Sequence, residues 1–445
     1  MRHILLFILI FLSHQVNAGV IIKSWKEQAR LTDAGKNSDI LIKGVVRGLS
    51  PRHAMSSFSV SFDPRQSIKM KRVISDNNLS KSSKSAKFSF VNNVLTVDFP
   101  KGKRNGQKIS IYFSYERKYD KINKFLRQEE IVIPPFAAGA ESIVVFSFPG
   151  SFESATFNPN ISKHGNNFIY RGVVPKSGVR EAIKLTPMQN IWNVTVKSKV
   201  SSQGSLGKFT IKVPIFFQSA SHKIENYEVT ASATPRESKN NLRHTVMSFD
   251  THQPEVLVES YAKITTGLAS RRSYSRNPLG YLKISDSDRA LLAPLLQQIK
   301  DDPKYGDIPL YVKIGRFVHE FIKYDLSYSG KLPKLEEVLR RRVGVCTEYA
   351  KLFEGLARLA KIPAIAVDGG ACGEYSKCRG HSWNMIYHDN RWLEVDPTWD
   401  LMSGIVSSSH VYMNDFNRGG VGIEYFRNKR GDHPRTSVDL EMSLY

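Results

Sequence analysis

A cysteine, a histidine and an aspartate follow one another in the last quarter of the chain, each at the end of a predicted element. Cys346 opens a run with helical periodicity, His381 starts one strand-like run, and Asp396 ends the next. A thiol, an imidazole and a carboxylate are the parts of a nucleophile with an oriented base. The pattern therefore indicates covalent chemistry on sulfur, and the surrounding elements must bring the three side chains together.

The helix that begins at Cys346 is predicted from a stripe of apolar residues with helical spacing: Ala350, Phe353, Leu356, Ala357 and Ala360. Cys346 then lies at or near the first turn, where the partial positive charge of the helix N-terminus favours a thiolate. Its backbone N–H also points out of the helix and is available to an oxyanion. The plainer interpretation is a buried structural cysteine, the commonest fate of an unpaired one.

His381 and Asp396 flank a predicted β-hairpin. The strand-like runs 382–387 and 392–395 are joined by the turn sequence 387–390. A hairpin centred between the second and third turn residues sets His381 directly opposite Asp396, with Cβ atoms about 5 Å apart on one face. The carboxylate then holds the imidazole in one tautomer. A register slip of one residue would place the pair on opposite faces, and a lone histidine is more often a surface or core residue.

Two aromatic residues near these three are predicted to bind substrate or to shape the site. Trp383 lies two residues after His381 on the same strand face, where it either shields the imidazole from water or simply packs into the core. Tyr349 follows Cys346 on the predicted helix.

The other two cysteines, Cys372 and Cys378, bracket a short loop before His381. Two cysteines alone make a poor zinc site, and a disulfide that stiffens the loop is the preferred interpretation. That pairing leaves Cys346 free. A bond from Cys346 to either loop cysteine would disable the thiol.

Metal ligands are not evident elsewhere in the sequence. His319 and Glu320 look like a metal-binding pair, but no second histidine follows four residues later, so a helix surface explains them better. No aspartate-rich calcium loop is found either. The sequence therefore predicts no metal centre and no cofactor.

The first eighteen residues have the order of a secretory signal peptide. Arg2 and His3 precede an apolar run from Ile4 to Leu12, and a polar stretch ends at Ala18. A transmembrane anchor is disfavoured, because this run is much shorter than the ~20 residues that span a bilayer. The mature chain is expected to be exported, periplasmic or secreted, with no transmembrane anchor after cleavage.

Basic residues dominate the charge. The formal net charge is +23, from 64 Lys and Arg against 41 Asp and Glu spread along the whole chain. A solvated basic surface is the simplest explanation, and attraction to an anionic envelope or cell-surface polymer is the functional alternative. Nucleic acid is not expected as a partner, because no strands combine aromatic and basic residues as a reading platform.

Short alternating runs separated by turn residues fill the N-terminal half. Residues 19–185 predict an antiparallel β-sandwich, and residues 186–267 predict a second, smaller one. Pro214 is expected at a strand end or edge, because it has no N–H to donate to a ladder.

The remaining chain is predicted to be a mixed domain. Residues 268–280 have the composition of a linker, residues 281–430 combine helices with strands, and residues 431–445 are left as a C-terminal tail. The predicted fold class is therefore α+β, with two N-terminal antiparallel β-sandwich domains before an α+β catalytic core.

Four blocks around the candidate residues match a known pattern: 342–350 (Arg-Val-Gly-Val-Cys-Thr-Glu-Tyr-Ala), 360–364 (Ala-Lys-Ile-Pro-Ala), 381–384 (His-Ser-Trp-Asn) and 392–398 (Trp-Leu-Glu-Val-Asp-Pro-Thr). In this order and spacing they resemble the transglutaminase-like superfamily, papain-related thiol enzymes with a Cys–His–Asp triad. The resemblance covers residues 281 to 402. Residues 186–266 resemble, more weakly, the β-sandwich that precedes this core in many bacterial members, and residues 19–185 match no family that we recognise.

The resemblance implies roles for the three residues. Cys346 is the nucleophile, His381 the base and Asp396 its orienter. The thiolate attacks a protein or peptide amide, His381 protonates the leaving amine, and the resulting thioester passes its acyl group to an amine or to water. Crosslinking, deamidation and peptide hydrolysis all follow this scheme, and the family also contains members that have lost activity.

Two other functions compete with this interpretation. A non-catalytic envelope adaptor would use the same fold as a scaffold, consistent with the large β region and the basic charge. A conventional papain-like protease fits less well, because that family orients its histidine with an asparagine far downstream. In this chain Asp396 lies just fifteen residues after His381.

Overall fold

The structure, a computed structural model, divides the chain into two compact units whose boundary in sequence falls between Leu185 and Thr186. It describes residues 19–32, 35–49, 52–62, 67–75, 86–118, 127–150, 152–155, 161–187, 189–203, 205–214, 222–240, 244–267, 277–328, 334–372, 378–402, 408–415 and 435–444. The predicted signal peptide and residues 268–276 of the predicted linker lie outside these ranges. None of the described helices combines the length and the apolar character that crossing a bilayer requires.

The described part of the first unit is built from strands. They are β1 (Gly19–Thr32), β2 (Gly35–Arg47), β3 (Met55–Ser61), β4 (Ser67–Ser75), β5 (Phe88–Val91), β6 (Val94–Lys103), β7 (Lys108–Lys118), β8 (Arg127–Ile133), β9 (Glu141–Ser147), β10 (Phe152–Ala155), β11 (Ile161–His164), β12 (Asn167–Val173) and β13 (Val179–Pro187).

These strands form a seven-stranded sheet in the order β11-β12-β9-β1-β2-β7-β4 and two three-stranded sheets, β10-β13-β8 and β3-β6-β5. Alternate residues face one shared core that includes Ile42, Phe113 and Phe168. The pairing departs from the purely antiparallel prediction at one place, because β1 pairs with β9 in parallel. The fold class is otherwise the predicted one.

The second unit combines a β-sandwich with helices and a further sheet. Its elements are β14 (Asn190–Ser201), β15 (Gly207–Pro214), β16 (His222–Ala231), β17 (Glu237–Asn240), β18 (His244–Thr251), β19 (Glu255–Thr266), α1 (Asp286–Asp301), α2 (Leu310–Phe321), β20 (Lys323–Tyr324), α3 (Leu335–Arg341), β21 (Val343–Gly344), α4 (Cys346–Leu359), β22 (Ala364–Cys372), β23 (Cys378–His388), β24 (Arg391–Val395), β25 (His410–Asp415) and β26 (Arg435–Leu444).

The β-sandwich packs the sheet β16-β19-β14-β26 against the sheet β15-β18-β17. Its core includes Val200, Phe209 and Phe249, which are buried where the alternation predicts. Pro214 ends the edge strand β15, as expected for a residue without an N–H.

The C-terminal residues are not a tail. Residues 435–444 form β26, which pairs with β14 from Trp192 to Ser201 and forms one edge of the sandwich sheet. The alternation of Val438, Leu440 and Met442 supplies an apolar face that packs on the cluster of Trp192, Val411 and Met413. Sequence pattern alone missed the strand because its pairing partner lies far away in the chain.

The sandwich also packs on the sheet of the α+β core, which has the order β24-β23-β22-β25. Trp192 and Val194 from β14 share one buried cluster with Val411 and Met413 from β25. A Cβ on Gly370 of β22 would overlap the Met442 sulfur. The β-sandwich and the α+β core are therefore one packed body.

Replacing Leu440 by Ala tests this role of β26. Removing a half-buried leucine from a packed strand is expected to lower the free energy of unfolding by about 1–2 kcal/mol. Urea unfolding followed by tryptophan fluorescence measures the change. Ser443→Ala, at an exposed position of the same strand, is the control and should leave stability unchanged. Equal stability of both variants would show that β26 contributes nothing to the core.

Candidate active site

The first turn of α4 fixes the position of Cys346. Val345 is the residue that caps the helix, and its N–H donates to Glu348 Oε2 at 2.9 Å. Glu348 is fully buried and also forms an ion pair with Arg341. Gly344 is required beside it, because a Cβ there would lie 2.5 Å from Glu348 Cγ. Buried charge pairing and close packing therefore hold the turn on which Cys346 sits.

The Cys346 thiol is free and partly exposed. The structure joins Cys372 to Cys378 in a disulfide between directly opposed residues of β22 and β23, with Cα atoms 4.1 Å apart. Cys346 lies at the start of α4, where the first N–H groups of a helix have no acceptor within it. These donors and the helix dipole suit an anion at this position.

The predicted register of the hairpin is wrong by two residues. The turn is formed by Asp389 and Asn390, both with positive φ, and the pairs run from His388↔Arg391 to Asn384↔Val395. Two positive φ values define the tight turn that suits a two-residue hairpin. The types of the four residues 387–390 did not show which two of them form the turn.

The shift does not separate the two site residues. One step beyond the last pair, the register sets Asp396 opposite Trp383, which shares a strand face with His381. Because the slip is even, both side chains stay on one face. His381 and Asp396 therefore meet diagonally, and His381 Nε2 lies 2.9 Å from Asp396 Oδ2.

A short loop after β24 fixes the carboxylate. The backbone N–H and C=O of Asp396 bond to Leu401, both at 2.8 Å, which closes residues 396–401 into a tight turn. Asp396 Oδ1 accepts the Thr398 N–H at 2.8 Å. Asp396 is fully buried. Burial opposes its charge, but the charge of His381 and hydrogen bonds from the surrounding groups lower the pKa of the carboxyl below its usual range.

His381 connects the carboxylate to the thiol. Its Nε2 faces Asp396, and the Cys346 side chain also acts on the ring, which leaves Nδ1 as the nitrogen for the thiol. Burial disfavours a charged ring, yet the charge and hydrogen bond of Asp396, followed by Cys346, raise the pKa of His381 above its ordinary value. The imidazole thus interacts with both the carboxylate and the thiol.

Aromatic rings enclose the imidazole. The half-buried Trp399 stacks on His381, with ring centroids 4.4 Å apart and planes 14° from parallel. Trp383 lies farther away, at 6.2 Å, and is fully buried, so it packs beneath the ring and has no surface to offer a substrate. The sequence left open whether Trp383 shields the imidazole or packs into the core, and its burial favours the core. Trp399, expected from sequence to be a core or rim residue, is brought back over the ring by the turn after Asp396.

Two tyrosines lie close to Cys346 in the fold. Tyr324 pairs with Gly344, two residues before the cysteine, and Tyr349 follows it on α4. The Tyr349 hydroxyl is buried and donates to the Ile322 carbonyl, so this residue shapes the site by packing. Burial, followed by the charge of Cys346, raises the pKa of the phenol of Tyr324 on β20. The phenol therefore stays protonated near neutral pH.

A second histidine, which the sequence analysis did not single out, completes the surroundings of Asp396. His410, at the start of β25, is fully buried, and its Nε2 lies 3.3 Å from Asp396 Oδ2. Its strand, His-Val-Tyr-Met, looks like ordinary core, so the sequence gave no local signal. His222 from β16 contacts the His410 carbonyl oxygen through Nε2 at 2.9 Å.

The side-chain atoms of His381, Asp396 and His410 that could bind a metal ion lie within 4.8 Å of one another. Among the described residues this is the one cluster with such an arrangement. The contact of His381 with Asp396, at 2.9 Å, has the usual length of a hydrogen bond between an imidazole N–H and a carboxylate, and the contact of His410, at 3.3 Å, is longer. His319, the other histidine considered from sequence, instead bonds the carbonyl oxygens of Pro397 and Thr398 and so braces the turn that carries Asp396.

Known proteins resemble the core of the second unit. A family model described as the transglutaminase-like superfamily matches residues 297–397. These residues form a transglutaminase-like domain. Kyphoscoliosis peptidase from Homo sapiens is 29% identical over 139 residues, 28% of this chain and 20% of that protein. The Mus musculus protein of the same name is 28% identical over 130 residues, 27% of this chain and 19% of that protein. The match therefore spans about a fifth of the length of these relatives.

Solved structures are similar at lower identity. A candidate cysteine protease from Cytophaga hutchinsonii is 14% identical, with 57% of this chain and 92% of that chain covered and a TM-score of 0.43. The periplasmic domain of TgpA from Pseudomonas aeruginosa, bound to ethylmercury, is 18% identical, with 46% and 90% covered and a TM-score of 0.25.

Replacing Asp396 by Asn tests the coupling within the site. Without the negative charge, the raised pKa of His381 falls, and fewer imidazolium–thiolate pairs exist near neutral pH. The rate at which iodoacetamide alkylates Cys346 at pH 6 is expected to fall about tenfold for each unit by which that pKa drops. Asp389→Asn, which removes an exposed charge from the hairpin turn, is the matched control. Equal rates for both variants would contradict the coupling.

The buried histidines predict an acid-sensitive fold. Burial lowers the pKa of His222 from 6.5 to about 4, although its bond to the His410 carbonyl opposes the shift. The unfolded chain therefore takes up a proton near pH 6.5 that the folded chain refuses until about pH 4. Stability is expected to fall as the pH drops through this window, by at most about 3 kcal/mol from this ring.

Urea unfolding at pH 7 and pH 4.5 measures this effect. His222→Gln keeps a hydrogen-bond donor without a titrating ring and should show a smaller difference between the two pH values. His252→Gln, at an exposed position of the same sandwich, should behave like the unmodified protein. A pH difference that His222→Gln leaves unchanged would assign the acid sensitivity to other groups.

Proposed function

We propose that this protein cleaves protein or peptide amides through a thioester on Cys346. The observation that carries the proposal is the order Cys346 thiol, His381 ring and buried Asp396 carboxylate, in which the ring interacts with both of its neighbours. In a transglutaminase-like domain, this order supplies a nucleophile, a proton carrier and a fixed negative charge.

The first half of the reaction forms the acyl-enzyme. The Cys346 thiolate attacks the amide carbonyl carbon, and the developing oxyanion is stabilised by the backbone N–H at the start of α4. The C–N bond then breaks, and His381 gives its proton to the departing amine. Asp396 holds the ring in place through Nε2, so that Nδ1 remains directed at the reacting atoms.

The second half releases the acyl group. Water or an amine attacks the thioester carbonyl, neutral His381 accepts the proton of the attacking group, and the C–S bond breaks to restore the thiolate. Water as acceptor gives hydrolysis or deamidation, and an amine gives a crosslink. The name of the relatives, peptidase, favours water, and this acceptor is the one we propose first.

We also propose an exported location, on the signal-peptide pattern of residues 1–18. The disulfide between Cys372 and Cys378 suits an oxidising compartment. A net charge of +23 would draw the protein to anionic envelope or cell-surface polymers, where protein amides are available as substrates.

An assay with two readouts tests the proposed activity. Dimethylated casein is incubated with the protein and a biotinylated primary amine, and amine incorporation is compared with the release of ammonia and of new peptide ends. Cys346→Ala is expected to reduce every product by about a thousandfold or more, to the background rate. Cys372→Ala/Cys378→Ala, which retains the candidate nucleophile, is the control for the other thiols.

Products that persist unchanged in Cys346→Ala would rule out the thioester. An envelope adaptor would give a different result. It would bind cell-wall material with or without Cys346 and turn over no amide in either form.

A further inference from the structure

The Asp396 carboxylate has an additional partner outside the proposed Cys–His–Asp set. Its Oδ2 atom faces two imidazole rings, with His381 Nε2 at 2.9 Å and His410 Nε2 at 3.3 Å. Both rings are buried, and their centroids lie 5.5 Å apart. We propose that His410 is a neutral positioning residue that holds Asp396 toward His381, and that the β-sandwich holds His410 in turn.

The contacts of His410 define one tautomer. Its Nδ1 lies 2.9 Å from the Ser409 hydroxyl, which can donate to it, and its Nε2 faces a carboxylate, which can only accept. The ring therefore carries a proton on Nε2, and it is neutral when Nδ1 accepts from the Ser409 hydroxyl. Burial, which lowers the pKa of His410, agrees with that state even though Asp396 opposes the shift.

A neutral donor suits this position better than a charged one. A second imidazolium beside Asp396 would compete with His381 for the carboxylate and repel it, since the two rings are close. A neutral N–H stabilises the buried charge of Asp396 without that repulsion. The other charged groups acting on His410 are His381 and Glu394, which have opposite effects on it.

The β-sandwich clamps the backbone that carries His410. Asn190, Thr266 and His222 lie in one row across the adjacent strands β14, β19 and β16. Asn190 Nδ2 and Thr266 Oγ1 each donate to the Ser408 carbonyl oxygen at 2.8 Å. His222 Nε2 lies 2.9 Å from the His410 carbonyl oxygen and must donate to it.

The row gives the sandwich a role in the proposed reaction. Thr266 and His222 are buried, as are both residues whose carbonyl groups they contact, so water cannot replace these hydrogen bonds. Trp192 Nε1, also from β14, donates to Thr266 Oγ1 at 3.0 Å and lies 3.3 Å from the Ser408 carbonyl oxygen. A continuous set of contacts therefore runs from the end of the sandwich sheet to the carboxylate of the site.

This inference rests on the proposed function, since it takes Cys346 as the reactive thiol, but its test does not need a substrate. The rate of alkylation of Cys346 by iodoacetamide is measured from pH 5 to pH 8 in His410→Gln and His410→Leu. Gln can place an amide N–H near the position of Nε2, whereas Leu keeps a similar volume without a donor. Circular dichroism and the thermal midpoint establish that each variant is folded.

In His410→Leu, Cys346 is expected to be alkylated about tenfold more slowly at pH 6. The rise of the rate with pH should lie about one pH unit higher than in the unmodified protein. His410→Gln should stay within about threefold of the unmodified protein, because it retains the donor. Equal rates and pH profiles in His410→Leu and the unmodified protein would overturn the inference. Equal losses in both variants would also overturn it, because they would make His410 a packing residue.

The clamp is tested in the sandwich itself. Thr266→Val removes the hydroxyl donor with almost no change of shape, and it is expected to slow alkylation about threefold with the same displacement of the pH profile. Thr230→Val, at an exposed position on β16, is the matched control and should have no effect. Identical profiles for the two threonine variants would show that the sandwich does not act on the site.

Nuclear magnetic resonance gives a result that is independent of thiol reactivity. With ¹⁵N-labelled histidine, the signal that disappears in His410→Gln should show a neutral ring protonated on Nε2 from pH 5 to pH 8. A His410 ring that is charged at pH 6, or protonated on Nδ1, would overturn the inference even if amides are cleaved as proposed. A neutral Nε2–H ring in a protein that cleaves no amide would support the geometry and reject the proposed function.

Discussion

The buried carboxylate of Asp396 is the constraint on which the rest of the site depends. A charge with no access to water is strongly destabilising unless several donors surround it. In this protein the donors are the Thr398 N–H, His381 Nε2 and His410 Nε2. Each comes from a different segment, so satisfying this charge requires the turn after β24, the hairpin strand β23 and the start of β25 to meet at one point.

The thiol is held by a separate buried charge. Glu348 binds the Val345 N–H at the start of α4 and pairs with Arg341 at the end of α3. Two buried carboxylates thus fix the two sides of the site. Glu348 fixes the start of the helix that carries Cys346, and Asp396 fixes the His381 ring. Such networks are strongly destabilising when incomplete, which limits the number of alternative arrangements of these segments.

Much of this arrangement could be predicted from local sequence. The helix beginning at Cys346 follows from apolar spacing, and the order of the four sequence blocks indicated the superfamily. The hairpin was predicted but its centre was wrong, because composition does not show which two residues adopt positive φ. The error was harmless for His381 and Asp396, since a shift of two residues preserves the face of a strand.

The features that sequence missed all depend on contacts between distant segments. Strand β26 pairs with β14, which lies far away in the sequence. Trp399 reaches His381 because the chain turns tightly from Asp396 to Leu401. His410 looks like a core histidine of a short strand, and its contact with Asp396 arises from sheet pairing with β22. Local periodicity predicts which face of an element is buried, but it does not predict what that face will meet.

In the proposed reaction, the sulfur of Cys346 carries an acyl group. Mass spectrometry of protein quenched in acid during turnover of a glutamine-containing peptide tests it most directly. We predict a mass increase equal to the acyl portion of the substrate, located on the peptide that contains Cys346 and removed by hydroxylamine. Turnover without any such adduct, or an adduct on another residue, would contradict the account.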